Sequence, residues 1–180
     1  MKNTRQIYVR WMVSVLGFPF GGLAAISVGT LHDGWGRAAV MGLIAGMVIG
    51  AAQWLAARPA LTVWWLPATS IGLMVGAAVG TAITGAAHDS VSLVAYGVST
   101  GVSVGAAQAM TVGVRVIPPW TLSMALSWAA AWVITSAVIV DIDRGYVIFG
   151  MSGALFATAI CGVVLVRTLV PASREGAARS

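Results

Sequence analysis

Six long apolar runs divide this chain and limit the folds that are open to it. The runs cover about 11–30, 38–57, 63–87, 91–114, 120–140 and 146–170. Each has about the 20 residues that a helix needs to cross a hydrocarbon core of about 30 Å, and none alternates like a strand of a membrane β-barrel. Charged residues make up only 8 % of the chain, against roughly 25 % in an average soluble domain. The sequence predicts an all-α, polytopic integral membrane protein with six transmembrane helices.

Small residues recur in three stripes with steps of four, four and three positions. The stripes are Gly42, Gly46, Gly50 and Gln53; Gly97, Gly101, Gly105 and Gln108; and Gly150, Ala154, Thr158 and Cys161. On a helix these steps place small residues on one face, which lets two helices approach closely in a bilayer. We interpret the chain as a single domain over 1–170, with three helical hairpins at about 11–57, 63–114 and 120–170 that form a pseudo-threefold bundle.

The basic residues lie mostly in the connections that share a side with the chain ends. Arg37 and Arg144 alone fall in the other connections, and this bias is the positive-inside pattern. We therefore expect a multi-pass protein of the inner (plasma) membrane with cytoplasmic N- and C-termini. The net charge of +5 fits contact with a lipid bilayer and anionic head groups, so we predict no nucleic-acid partner. We predict that residues 171–180 form a disordered basic tail. We assign no oligomeric state from the sequence.

Two glutamines and several tryptophans are the larger groups of the predicted spans. Gln53 and Gln108 are either hydrogen-bond partners between helices or groups that orient a polar substrate. An aromatic belt at the membrane interface explains four tryptophans. These are Trp11, Trp64, Trp65 and Trp120. Trp128 and Trp132 lie deeper and one turn apart, so they either pack against glycine grooves or line a cavity whose rings stabilise a cation.

Four of the five acids fall in the connections opposite the chain ends. If the hairpins surround one axis, these connections meet at one mouth. The residues brought together are His32, Asp33, His88, Asp89, Asp141 and Asp143. Crowded carboxyl groups there would raise the pKa of at least one of them and leave a proton to donate, or the cluster would hold a cation. The alternative is that Asp simply caps the helices.

An acid and aromatic rings together favour carbocation chemistry on an apolar, isoprenoid-type substrate. The segment Asp141-Ile142-Asp143 resembles a fragment of the Asp-x-Asp-Asp motif of class II terpene cyclases, with Arg144 in place of the last acid. The candidate proton donors are Asp141, Asp143, Asp89 and Asp33. The candidate substrate-binding residues are Trp128, Trp132, Trp35 beside Gly36, Tyr96, Tyr146, Gln53 and Gln108. No nucleotide-binding or metal-hydrolase motif is present, so we predict no cofactor and assign no metal ligand.

Two other functions remain open from the sequence. A small transporter or channel would use the acidic mouth to attract cations, although no charged residue lies near the predicted midplane, where ion-coupled carriers usually keep one. A membrane subunit without catalytic activity would need the bundle only as a scaffold for a partner. Our preferred hypothesis is a membrane-embedded enzyme that cyclises or isomerises its substrate.

Overall fold

The computed structural model describes residues 2–138 and 148–169, and every regular element in these ranges is helical. Six helical segments are long and apolar enough to cross a membrane, which confirms the predicted fold class. They are Thr4–Ile26, Trp35–Ala57, Trp65–Thr84, Ser90–Met110, Val114–Val138 and Met151–Leu169. The protein is therefore a multi-pass membrane protein.

Seven α-helices and several shorter helical turns form these segments and one of the connections between them. The α-helices are α1 (Lys2–Val13), α2 (Gly17–Ile26), α3 (Trp35–Ala57), α4 (Trp65–Thr84), α5 (Ser90–Met110), α6 (Ile117–Val138) and α7 (Met151–Val164). The turns of 3₁₀ helix are Ser14–Leu16, Leu31–Asp33 and Val114–Val116. A π-helical turn, Leu165–Leu169, continues α7.

Prolines account for two features of this helix pattern. Pro19 has no backbone N–H for the carbonyl of Val15, and the 3₁₀ turn that separates α1 from α2 lies at this point. Pro67 instead falls in the first turn of α4, where a missing N–H breaks no helical hydrogen bond. Proline therefore interrupts the first span and only begins the third.

The glycine stripes face neighbouring helices, as their spacing predicts. A Cβ atom on Gly46 would lie 2.6 Å from Cα of Ser70 in α4, and one on Gly101 would lie 2.6 Å from the carbonyl oxygen of Met124 in α6. Similarly, a Cβ atom on Gly76 would lie 2.6 Å from the Cα atom of Thr100 in α5. These helices pack backbone to backbone, at a separation that only glycine permits.

Consecutive helices pack side by side from α2 to α7, and α7 returns to contact α1. Among the described residues the contact of α7 with α2 is slighter, so α7 packs against the first span mainly near the N-terminus of that span. The end that carries Arg10, Arg58, Arg115 and Arg167 is called the arginine end below. The threefold hairpin repeat stays a prediction, and so does the disordered tail, whose residues lie outside the described ranges.

Candidate functional site

An aromatic pocket lies between the first span and the segments that flank residues 139–147. Its volume is about 310 Å³, and it lies at the end of the bundle opposite the arginine end. The lining residues are Phe18, Pro19, Gly22, Leu23, Ile26, Trp132, Thr135, Ile148, Phe149, Gly150 and Met151. Among the described lining residues, the polar side-chain groups are the indole N–H of Trp132 and the hydroxyl of Thr135, whose oxygen accepts the backbone N–H of Gly150 at 3.1 Å. The pocket therefore suits an apolar molecule.

Four rings from three segments form the wall of this pocket and the layer behind it. Phe149 stacks on Phe18, with ring centroids 5.3 Å apart, and meets Trp132 edge to face at 6.1 Å. Trp128 lies behind them, 5.2 Å from Phe149 and 6.2 Å from Phe18, and is 1 % exposed. Of the two deep tryptophans, Trp132 lines the pocket and Trp128 supports it.

Tyr96 belongs to the same aromatic layer but does not line the pocket. Its ring meets Trp132 edge to face at 5.5 Å and covers Gly80 of α4, and the residue is 3 % exposed. Between Tyr96, Trp132 and His88 there is a space of only about 10 Å³, roughly enough for one water molecule. Tyr96 therefore positions Trp132 and cannot contact a larger ligand in this arrangement.

The two glutamines lie in a separate, buried network nearer the arginine end. The indole N–H of Trp65 donates to Oε1 of Gln53, and that of Trp120 donates to Oε1 of Gln108, each at 3.0 Å. Nε2 of Gln108 donates to Oε1 of Gln53 at 3.0 Å and to the hydroxyl of Thr69 at 2.8 Å. Both amides are thus bonded to other helices, as expected of interhelical packing groups.

Three tryptophans close the centre of the bundle beside this network. The ring centroids of Trp11, Trp65 and Trp120 lie 5.7 to 6.4 Å from one another, and each residue is at most 1 % exposed. The aromatic-belt interpretation is wrong for these three, because belt residues face the lipid interface. Trp64, at 68 % exposure, is the member of that group whose position fits a belt.

The third stripe departs from the other two at the position of the glutamine. Cys161 lies there, with its sulfur 3.2 Å from the Ser127 hydroxyl and 3.4 Å from Sδ of Met124. Trp11 has no glutamine to bind, and its indole N–H donates instead to the backbone carbonyl of Thr158 at 3.0 Å. The free cysteine is buried and serves packing.

The acids in the first two connections away from the arginine end cap local backbone. Oδ2 of Asp33 accepts the N–H of Thr30 at 2.8 Å, and Asp89 is the N-cap of α5. Hydrogen bonds from the hydroxyl and the backbone N–H of Ser92 lower the pKa of Asp89, so this carboxyl stays ionised near neutral pH. Both carboxylates fit the capping interpretation.

The two histidines do come together at this end. The rings of His32 and His88 meet edge to face with centroids 5.2 Å apart. Within the described ranges, no group of three or more His, Cys, Asp or Glu residues is close enough to hold a metal ion. Asp141, Asp143 and Tyr146 lie outside the described residues, so their place relative to this pair stays a prediction.

No known family, curated protein or solved structure matches this chain. The aromatic pocket and the acids near it in sequence are therefore the features that indicate a function. Among the predicted binding residues, Trp132 lines that pocket, whereas Trp35 is 65 % exposed and absent from its lining.

Sequence analysis missed two of the pocket's rings, Phe18 and Phe149. Phe18 follows the small residue Gly17 in an apolar run, and Phe149 stands between Ile148 and Gly150. No polar neighbour or helical spacing distinguishes either ring from ordinary core residues. Only the return of the last span to the first brings them within stacking distance.

Proposed function

We propose that this protein is a membrane-embedded enzyme that binds an apolar, isoprenoid-type substrate in the aromatic pocket and starts carbocation chemistry on it. The observation that carries the proposal is the wall of Phe18, Trp132 and Phe149 around an otherwise apolar space. The faces of such rings attract a cation, by about 2 kcal/mol or more where water is excluded. A pocket of about 310 Å³ is at the lower end of the range for small-molecule sites, so we expect a short substrate.

The proposed proton donor is Asp141 or Asp143. Asp33 and Asp89 already bind backbone N–H groups, and the lowered pKa of Asp89 makes it a poor acid. Asp141 and Asp143 belong to the segment 139–147, and Ile148, the next residue, lines the pocket. The carboxyl group would transfer its proton to an alkene carbon or an epoxide oxygen, and the resulting cation would close a ring or move its double bond. Loss of a proton from the product cation to the carboxylate would restore the acid.

Substrate would enter from the bilayer. Leu23 is 61 % exposed and Met151 is 41 % exposed, so two walls of the pocket also face the lipid. An isoprenoid dissolved in the hydrocarbon region would reach the rings without crossing water. This route fits a pocket whose described lining residues carry no charged side chain.

A cation channel along the bundle axis has less support. Trp11, Trp65 and Trp120 fill the axis near the arginine end, and the neighbouring amides of Gln53 and Gln108 are occupied by hydrogen bonds. Within the described ranges, acids occur only at Asp33 and Asp89, outside the spans. The channel and the partner-subunit hypotheses each predict a different result in the experiment that tests the enzyme.

The test supplies purified protein in lipid with a panel of linear isoprenoids, including epoxides, and identifies products by mass spectrometry. Wild-type protein should form a cyclised or isomerised product, and Asp143→Asn or Asp141→Asn should lower its rate by roughly a hundredfold or more. Asp33→Asn is the matched control and should retain activity. Cation flux is measured in parallel in vesicles. Acid-dependent flux without product would support the channel, and the absence of both product and flux would support a partner subunit. Either result would refute the enzyme.

A further inference from the structure

A second cavity is a groove of about 580 Å³ on the lipid-facing surface between α6 and α7. Its walls are mainly apolar side chains that no other part of the described chain covers. The groove residues on which the argument depends are Pro119, Ser123, Ala130, Phe156, Arg167 and Thr168. Leu122 and Leu126 are 60 % and 62 % exposed. The groove is separate from the aromatic pocket and shares no residue with it.

The length of the groove matches one leaflet of a bilayer. From Pro119 to Ala130 there are eleven residue steps of about 1.5 Å, or about 16 Å along α6. From Phe156 to Thr168 the twelve steps of the last span give about 18 Å. Half of a hydrocarbon core of about 30 Å is about 15 Å. The groove thus runs from mid-bilayer to the arginine end, as a single acyl chain does.

A positive charge stands at the surface end of the groove. Arg167 is exposed and lies in the π-helical turn that follows α7. The described residues at the arginine end include Arg10, Arg58 and Arg115, and the described acids, Asp33 and Asp89, are both at the opposite end. A guanidinium at the end of an apolar groove matches a phosphate attached to an acyl chain.

We propose that this groove binds one anionic phospholipid from the leaflet at the arginine end. Its phosphate lies at Arg167, and one acyl chain lies between α6 and α7 as far as Ala130. The hydroxyl of Ser123, one helical turn deeper than Pro119, is placed at the level of the ester groups. Because the groove walls are as apolar as the surrounding lipid, the chain contributes fit, and the charge of the head group determines the preference.

The experiment titrates the full-length protein in detergent with phosphatidylglycerol or with phosphatidylcholine of the same acyl chains and counts bound lipid by native mass spectrometry. Wild type should bind the anionic lipid about fivefold more tightly, the factor expected for one basic residue at an anionic surface. Arg167→Gln should abolish this preference, and Arg167→Lys should retain most of it. Arg58→Gln, which removes an exposed arginine between α3 and α4, should leave it unchanged.

A second pair of variants tests the groove itself. Ala130→Phe shortens the groove at mid-bilayer and should weaken the binding of both lipids without changing their ratio. Ala78→Phe introduces the same ring on α4, away from the groove, and should have no effect. Equal binding of the two lipids to wild type, an equal loss in Arg58→Gln and Arg167→Gln, or unchanged binding in Ala130→Phe would each overturn the proposal. Melting curves confirm that every variant is folded.

Discussion

Gln108 donates an amide hydrogen bond to Oε1 of Gln53 at 3.0 Å and so joins the fourth span to the second. Both side chains lie inside the bundle, at 0 % and 4 % exposure. Each oxygen also accepts an indole N–H, so two amides hold two tryptophans in place. A buried polar network of this kind strengthens the bundle when every member is bonded and weakens it when one is lost.

Gln108→Met should therefore destabilise the protein. The substitution leaves the buried indole N–H of Trp120 without its acceptor, which costs about 1–3 kcal/mol. A denaturant titration of each variant in detergent measures this loss as a decrease in the free energy of unfolding. Gln6→Met is the control, since Gln6 is exposed. If both variants lose the same small amount, the network does not stabilise the bundle.

Gly101→Ala should also destabilise the bundle, although the change adds only one methyl group. The new Cβ would lie 2.6 Å from the carbonyl oxygen of Met124, so α5 and α6 must move apart at a cost of about 1–3 kcal/mol. Gly101→Leu should be worse. Gly36→Ala meets no atom within 4 Å and should be neutral or stabilising. A melting temperature for Gly101→Ala equal to that of Gly36→Ala would contradict this account of the packing.

The arginine end should face the cytoplasm. In a Cys161→Ala background, Ser90→Cys and Thr62→Cys place exposed thiols at opposite ends of the bundle. An impermeant thiol reagent added to intact cells should label Ser90→Cys alone, because basic connections are retained on the cytoplasmic side. Labelling of Thr62→Cys alone would invert the predicted topology, and labelling of both would contradict it.

The capping contribution of Asp89 should depend on pH. Its pKa is lowered in the folded state, so the stabilisation is present above the usual carboxyl value of 3.8 and is lost as the pH falls through the folded-state value. Asp89→Ala should lower the melting temperature at pH 7, and the difference from wild type should shrink below about pH 4. A difference that is constant over this range would show that the charge of the cap is unimportant.

The pocket rings should matter for turnover if the proposed chemistry is right. Trp132→Leu removes a ring face and should slow product formation by up to roughly thirtyfold, which corresponds to about 2 kcal/mol. Trp132→Phe keeps a smaller face and should retain part of the activity. Trp35→Leu is the control, because Trp35 is 65 % exposed and is absent from the lining of the aromatic pocket. Similar losses at both positions would mean that the pocket does not stabilise a cation.

The chain alone determined the six spans and the faces by which they pack. Apolar length is a local property, because each helix must satisfy its own backbone hydrogen bonds in a bilayer. The steps of four and three between Gly42, Gly46 and Gly50 likewise define a helix face before any neighbour is known. Both features follow from residues within one helix, so they could be read without the tertiary structure.

Only the tertiary structure decided which groups meet. Trp11, Trp65 and Trp120 occupy positions typical of a belt, and their burial follows from helix rotation within the bundle, which local sequence does not specify. Phe18 and Phe149, which lie 131 residues apart in the sequence, stack because the last span packs against the first. The contacts of a site depend on helix order and rotation, which arise from the packing of all the spans together. For that reason the pocket could be recognised only in the tertiary structure, whereas the membrane spans were evident from the sequence.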